Sequence, residues 1–215
     1  MNQVLEIVGN LTYGALAAVA IWGAYCVILV WRRVAQTRFK NEDVQNEFLD
    51  ELEEPLEKGN FDAAAEICEN NPKAMAQLCL LAIENRQLGF AKIKGLLVDR
   101  FQRDVLADLE FRINWVNTVI KSAPMLGLFG TVLGMMSAFG KLAASGSDSA
   151  PDPTALASDI SFALITTAQG LTIAIPLIIA LASINIRIRK MEDLVSAGMT
   201  RFMETFKEVL SKQKA

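Results

Sequence analysis

The sequence predicts an all-α, polytopic membrane protein with three transmembrane helices, and three observations lead to this fold class. Hydrophobic residues make up 52% of the 215 residues and charged residues 21%, which is more apolar than an ordinary soluble domain. The apolar residues gather in three uncharged stretches, 7–31, 122–140 and 160–186, each long enough for a helix to cross about 30 Å of hydrocarbon. Lysine and arginine flank these stretches asymmetrically. Two of the three helices are predicted to be long and to extend into a helical cytoplasmic domain.

The basic residues predict the orientation of the chain. They follow the first stretch, precede the second and follow the third, whereas residues 1–6 have none and the 141–159 loop has only Lys141. Because cytoplasmic flanks carry the excess of lysine and arginine, we expect the N-terminus and this loop outside and the C-terminus inside.

The expected domain organisation follows from these stretches. The first lacks a basic leader and is longer than a signal peptide, so we interpret it as a retained membrane helix. In chain order we expect an external tail (1–11), transmembrane helix 1 (12–31), a helical cytoplasmic domain (32–117), transmembrane helix 2 (118–143), an external loop (144–156), transmembrane helix 3 (157–186) and a cytoplasmic C-terminal helix (187–215).

The cytoplasmic domain opens with an acidic run, 42–57, in which apolar residues recur every four positions on one helical stripe. Pro55 predicts a kink or a break there. A turn at Gly59–Asn60 and two short helices, 61–69 and 74–85, should follow, separated by Asn71–Pro72. The acidic run is either a solvated helix face or a docking surface for a soluble partner.

Two long helices complete the chain. Residues 90–121 contain no proline and have apolar residues at helical spacing, which predicts a helix that runs directly into the second span. Asp152–Pro153 has the preferences of a helix start, so the third helix should begin at Pro153 and continue to about Lys190. Amphipathic sequence resumes from 191 to 210.

Several kinds of site are disfavoured by composition. The chain contains no histidine, which excludes Ser–His nucleophile pairs. Its three cysteines have no CxxC spacing, which argues against disulfides and a zinc site. The net charge of −3 gives no reason to expect nucleic acid. No paired catalytic groups or phosphate-binding loop occur, so we expect no enzyme activity, no cofactor and no metal.

The second span places small residues on one narrow face. Pro124, Gly127, Thr131, Gly134 and Ala138 recur at spacings of three and four, which lets neighbouring helix backbones approach closely. Thr131 is the one polar group on this face. It either bonds a carbonyl of its own helix or lines a pore.

The third span carries more polar groups. At ~100° per residue, Asp159, Thr166 and Gly170 lie within about 40° of one another, while Thr167 is displaced by roughly 80°. An ionisable group near hydrocarbon rarely faces lipid, so Asp159 lies either at a pore mouth or at the interface. Pro176 frees one helix carbonyl.

Two strings in these spans, APMLGLFGTVLGMMSAF and ALITTAQGLTIAIP, resemble the second-span and third-span signatures of the MotA/TolQ/ExbB proton channel family. With the topology and the helical insert, the resemblance covers nearly the whole chain. In its number of spans, three, the chain resembles the ExbB/TolQ-like branch rather than MotA, which has four.

The resemblance implies a homopentamer in the bacterial inner membrane. Its second and third spans would line a pore that holds two copies of a single-span ExbD/TolR/MotB-like protein. The ion pathway would include Thr131, Thr167, Thr166 and Asp159. Helix packing in the pore bundle would involve Pro124, Gly127, Gly130, Gly134, Gly170 and Pro176. A proton, or sodium, would pass by way of a partner aspartate and drive TonB-type transport or envelope maintenance. The other expected partners are a TonB-like or other envelope-spanning protein and the lipid bilayer.

One position departs from the family pattern. ExbB and TolQ have a glutamate five residues before the threonine that matches Thr167, and here this position is Phe162. Asp159, about one turn further out, either substitutes for it or leaves the carboxylate to the partner. A stator for surface motility and a non-conducting membrane scaffold are the alternative functions.

Overall fold

The computed structural model describes the backbone of residues 2–144 and 153–212 and the side chains of residues 11–143 and 153–212. Every regular element within these ranges is helical, and no strand occurs in them, which confirms the predicted all-α class. The α-helices are α1 (Asn2–Thr37), α2 (Glu42–Glu57), α3 (Phe61–Glu69), α4 (Ala74–Glu84), α5 (Phe90–Arg100), α6 (Ala107–Ala144) and α7 (Pro153–Lys212), with a 3-10 turn at Arg86–Leu88 and a π-helical segment at Phe101–Leu106.

Three helical segments are long and apolar enough to cross a membrane. They are Leu11–Thr37, Phe90–Ala143 and Pro153–Lys212, and their most apolar windows have mean hydropathies of 2.0, 1.5 and 2.1. Each contains all or most of one of the three uncharged stretches. The prediction of three candidate spans is therefore confirmed.

The chain divides into two compact units. We call Met1–Ile28 with Ile113–Ala182 the apolar unit, because it contains most of the three uncharged stretches, and Leu29–Arg112 with Ser183–Ala215 the polar unit. The unit boundaries fall within a few residues of the predicted ends of the membrane helices. Assignment of the units to bilayer and cytoplasm remains a prediction.

The short helices begin and end close to where the sequence predicts. α3 spans Phe61–Glu69, as expected, and Gly59 adopts a φ of +73° in the preceding turn. The predicted break at Pro55 is wrong, because α2 continues to Glu57. Proline removes a single helix bond, and the N–H groups of Lys58 and Asn60 still donate to Glu54 and Pro55 carbonyls at 3.4 and 2.9 Å.

The helix that enters the second span has the predicted extent, whereas α7 continues past the predicted end near Lys190 to Lys212. Helical structure is continuous from Phe90 to Ala144, but its π-helical segment was not predicted. Two i,i+4 ion pairs cross the start of this segment, Arg100–Asp104 at 2.5 Å and Arg103–Asp99 at 2.9 Å. α7 begins at Pro153 and its 60 residues span about 90 Å. The expected helix cap, Asp152, lies outside the described residues.

The core of the polar unit is apolar and partly aromatic. Phe202 stacks on Phe206 at 5.3 Å between ring centroids, and Phe61 meets Phe206 edge-on at 6.5 Å. Cys68 and Cys79 are free, fully buried thiols. Burial raises the pKa of Cys68 to about 12 and that of Cys79 well above its ordinary value. Both therefore remain protonated, and the thiolate form that reacts or binds metal is suppressed.

Polar side chains join α2 to α7 within the polar unit. Gln45, with 2% of its surface exposed, donates from Nε2 to the Leu194 carbonyl at 2.6 Å. Arg201 pairs with Asp50 and, at 3.0 Å, with Glu53. Two carboxylates of the acidic run thus hold α7 in place, which gives that part of the run a structural role.

Candidate functional site

In the apolar unit, α6 and α7 pack through glycines against backbone. A methyl group added at Gly127 would lie 2.8 Å from the Thr166 carbonyl oxygen, and one at Gly170 would lie 2.6 Å from that of Ala123. At Gly134 it would meet the Asp159 carbonyl oxygen at 2.8 Å. We call this contact the α6–α7 seam, defined by Ala123, Gly127, Gly130 and Gly134 on α6 and Asp159, Ala163, Thr166 and Gly170 on α7. It joins two helices of the same chain, which the sequence could not specify.

Two threonine hydroxyls meet at one edge of the seam. Thr131 Oγ1 and Thr167 Oγ1 lie 2.9 Å apart, and both residues are half-buried. Thr131 donates to the Leu128 carbonyl at 2.9 Å, with Gly127 at 3.3 Å as a second acceptor, and Thr167 donates to the Gly127 carbonyl at 3.1 Å. Thr131 therefore bonds its own helix, the first of the two alternatives, and also lies beside Thr167; that it lines a pore stays a prediction.

The third hydroxyl, that of Thr166, lies inside the seam. The residue has 0% exposure and packs on Gly130, and its Oγ1 donates to the Ala163 carbonyl at 2.9 Å, with the Gly127 carbonyl at 3.4 Å. Within one chain this hydroxyl has no surface to offer to an ion. A place for Thr166 in an ion pathway stays a prediction.

The hydroxyl pair has a defined chemical preference. Each threonine has one proton to donate and two acceptor lone pairs. Because helix carbonyls can take the protons of Thr131 and Thr167, the remaining lone pairs suit a water molecule, a hydronium ion or a metal cation rather than an anion. No cluster of three or more histidine, cysteine, aspartate or glutamate side chains that could hold a metal occurs among residues 11–143 and 153–212.

Asp159 lies at the end of the seam where α6 ends and α7 begins, and its carboxylate contacts two side chains of α6. Lys141 Nζ lies 2.8 Å from Oδ2 and 2.9 Å from Oδ1, and Ser137 Oγ donates to Oδ2 at 3.1 Å. The Asp159 side chain is 16% exposed. The sequence analysis did not predict this pair, although Lys141 is the one basic residue between positions 141 and 159. Because the ammonium group of Lys141 already pairs with this carboxylate, Asp159 is poorly suited to bind a second cation.

The remaining predicted residues have varied surroundings. Phe162 meets the ring of Tyr13 on α1 edge-on at 5.1 Å, a contact that was not predicted. Pro124 is half-buried beside Gly170, its Cα being 3.2 Å from a methyl group added there. Pro176 is exposed on α7, so a packing role for it requires a neighbouring molecule and stays a prediction.

Residues 91–197 match the model of the MotA/TolQ/ExbB proton channel family. The chain is 40% identical to the biopolymer transport protein ExbB-like 2 of Helicobacter pylori over 119 residues, which cover 54% of this chain and 74% of that protein. It is 36% identical to the Tol-Pal system protein TolQ of Haemophilus influenzae over 108 residues (50% and 44%). It is also 34% identical to the biopolymer transport protein ExbB-like 1 of Synechocystis over 105 residues (46% and 41%).

The family match at residues 91–197 includes both spans that form the seam. The chain matches less than half the length of the TolQ and ExbB-like 1 relatives. The chain belongs to the MotA/TolQ/ExbB proton channel family.

Proposed function

We propose that this chain is the ion-conducting subunit of an inner-membrane motor complex that converts ion-motive force into mechanical work at the cell envelope. The observation that carries the proposal is the Thr131–Thr167 hydroxyl pair, half-exposed at the edge of the α6–α7 seam in a chain of a proton channel family. The lone pairs of the two hydroxyls can accept from a water molecule or coordinate a cation, and so replace some of the oxygen contacts that it loses on leaving bulk solvent.

The carboxylate for conduction comes from the partner. Phe162 occupies the position of the family glutamate, and Asp159 is bound to Lys141 and Ser137. If Asp159 were to take the role of that glutamate, its ion pair with Lys141 would have to break, and an uncompensated buried charge is costly. An aspartate on an ExbD/TolR-like helix beside the threonine pair would accept and release the ion instead. Oxygen lone pairs serve hydronium or sodium, so the ion is a proton or sodium.

The assembly is a homopentamer around two copies of this single-span partner. The N-terminus of each subunit lies in the periplasm and the C-terminus in the cytoplasm. Large apolar side chains of α6 and α7 are exposed in the single chain, and they suit lipid or neighbouring subunits. They include Met125, Leu128, Phe129, Val132, Leu164, Ile175, Ile178 and Ile179. The work is TonB-type transport or envelope maintenance, with surface motility as the alternative use.

The test replaces both threonines with valine, which keeps their volume and removes both hydroxyls. We expect ion flux through proteoliposomes that contain this chain and its co-expressed partner to fall at least tenfold, while native mass spectrometry still finds the pentamer. Thr172→Val is the matched control, because Thr172 is an exposed threonine of α7 that bonds its own helix at Ala168. Thr167→Ser should retain most of the flux. Full flux in the double valine variant would contradict the pathway.

A non-conducting scaffold is the second candidate, and Phe162 with the Lys141–Asp159 pair favours it. Together they leave no unpaired carboxylate among the described residues 122–143 and 153–186. The parent complex discriminates between the two functions. Ion flux above that of partner-free liposomes supports conduction, and its absence in a well-assembled complex supports the scaffold.

A further inference from the structure

The polar unit brings together an arginine and a tryptophan from two different helices. The guanidinium carbon of Arg187 on α7 lies 3.9 Å from the centroid of the Trp31 ring on α1. Trp31 is the last residue before the first basic pair of the chain, and Arg187 is the first charged residue after the uncharged stretch of α7. Both residues therefore stand where a long apolar helix changes to polar sequence.

The positive charges beside this pair have no acidic partners. Arg32 follows Trp31, Lys190 lies three residues after Arg187, and both side chains are exposed. Neither they nor Arg187 form a salt bridge with any residue that the structure describes. The contact of Arg187 is the Trp31 ring, which leaves N–H groups at the guanidinium edge available to a ligand.

Arg33, in the same unit, differs from Arg187 in that an acidic side chain neutralises its charge. It pairs with Asp108 at 3.2 Å, and Asp108 also binds Arg112 at 3.1 Å. Arg112 and then Arg33 hold the pKa of Asp108 below its ordinary value, so this carboxylate remains charged. Arg187 has a ring and no such counter-ion, although aspartate and glutamate are plentiful in the polar unit.

We propose that the Trp31–Arg187 pair, with Lys190 and Arg32 beside it, binds the headgroup of an acidic phospholipid. A phosphodiester oxygen would accept from the Arg187 guanidinium, which is suited to planar, two-pronged recognition of phosphate. The indole of Trp31, 37% exposed, belongs to the side-chain type enriched where acyl chains meet headgroups. The proposal rests on membrane insertion of these helices and is independent of ion conduction.

Lipid is favoured over a free anion by the position of the pair and by its surroundings. Both helices are uncharged over more than twenty residues on one side of the pair, which places acyl chains directly beside it once they span a bilayer. Acidic lipids concentrate opposite such juxtamembrane basic residues. A soluble phosphate would gain the same ionic contact but would leave the Trp31 surface without an apolar neighbour.

The test is a lipid titration of the detergent-purified full-length chain followed by native mass spectrometry. Dioleoyl phosphatidylglycerol should bind at least fivefold more tightly than dioleoyl phosphatidylcholine, which has the same acyl chains and no net charge. Arg187→Gln should weaken phosphatidylglycerol binding about fivefold and leave phosphatidylcholine binding unchanged. Arg187→Lys, which retains charge without the planar fork, should fall between the two. Inorganic phosphate at millimolar concentration should not displace the lipid.

Arg103→Gln is the matched control. It also removes one exposed arginine of the polar unit, but one already paired with Asp99, and should leave both lipids bound as in the parent. Equal binding of the two lipids, no change in Arg187→Gln, an equal loss in Arg103→Gln or displacement by phosphate would each overturn the proposal. If Arg187→Gln changes the oligomer mass, Trp31→Leu replaces it, and the same loss of phosphatidylglycerol selectivity is expected. Because no ion flux is measured, failure here leaves the proposed conduction untouched.

Discussion

α7 packs in two different ways along its length. In the apolar unit it meets α6 through glycines, and at Gly127 and Gly170 the facing groups are backbone atoms. In the polar unit it meets α2 through side chains, with Gln45 bonded to the Leu194 carbonyl and Arg201 paired with Asp50 and Glu53. The first part of α7 thus packs closely against the backbone of α6, whereas contacts of the second part are made by polar side chains of α2.

The difference follows from the solvent in which each part would fold. Lipid tails are as apolar as leucine, so helices in a bilayer gain from close van der Waals contact and interhelical hydrogen bonds rather than from apolar burial. In water, burial of phenylalanine and leucine drives association, and polar groups at the margin fix the register. A backbone contact cannot move to accommodate an added atom, whereas a side chain can change rotamer. The seam should therefore be the less tolerant of the two contacts.

The largest expected effect is that of Gly127→Ala. Its added methyl group would lie 2.8 Å from the Thr166 carbonyl oxygen and 3.0 Å from Thr167 Cα, neither of which has a rotamer to change. We expect a loss of about 1–3 kcal/mol in the free energy of unfolding, as for other overpacked interiors. Thermal unfolding of the purified protein in detergent, followed by circular dichroism, measures it.

Gly140→Ala is the control for this substitution. Gly140 is on the same helix and an added methyl group there would have no atom within 4 Å, so the variant should unfold at or above the parent temperature. Equal unfolding temperatures for Gly127→Ala and the parent would show that α6 and α7 separate readily, and the proposed rigidity of the seam would be wrong.

The α6–α7 seam shows which features of helix packing the sequence could predict and which it could not. Helical arithmetic placed Asp159, Thr166 and Gly170 on one face of α7, and all three do face α6. It could not give the rotation of α7 about its own axis relative to α6. The resemblance implies one pathway for Thr166 and Thr167, whereas the structure buries the first and leaves the second half-exposed.

Local signals predicted the helix limits better than the interactions between helices. Asn60, whose side chain accepts from the Ala63 N–H, and Pro153 stand at helix starts that the sequence identified. The π-helical segment at Phe101–Leu106 has no proline or glycine to reveal it. The Lys141–Asp159 pair joins residues 18 positions apart, and no periodicity on either helix could have specified it.

A smaller effect is expected from Arg201→Gln in the polar unit. The arginine is 37% exposed and one of its two partners, Asp50, is 65% exposed, so solvent screens much of the attraction. We expect a loss of roughly 0.5–1 kcal/mol at low ionic strength. At about 1 M salt the difference from the parent should nearly vanish, because the Debye length falls to ~3 Å.

Salt also separates the two contacts experimentally. The Gly127→Ala loss should be the same at both ionic strengths, since no charged group faces the added methyl group. Arg100→Gln serves as the control for the arginine substitution, because it removes an exposed i,i+4 pair with Asp104 that joins no second helix. A salt-independent loss for Arg201→Gln would mean that the packing of its aliphatic stem, rather than its charge, holds α2 to α7.

The smallest expected effect is that of Gly198→Ala, the same substitution made on the other contact of α7. The added methyl group would meet the Gln45 amide nitrogen at 2.5 Å, Gln45 Cδ at 3.2 Å and Met75 Sδ at 3.3 Å. All three belong to flexible side chains. Loss of the Gln45–Leu194 hydrogen bond should cost about 1 kcal/mol, and replacing glycine within a helix should gain about 1 kcal/mol. The free energy of unfolding should thus stay within roughly 0.5 kcal/mol of the parent value. Chemical denaturation in detergent of Gly198→Ala beside Gly127→Ala measures the contrast directly. A loss at position 198 as large as that at 127 would show that Gln45, only 2% exposed, is as immobile as the backbone of the seam, and that α7 follows one packing rule along its whole length.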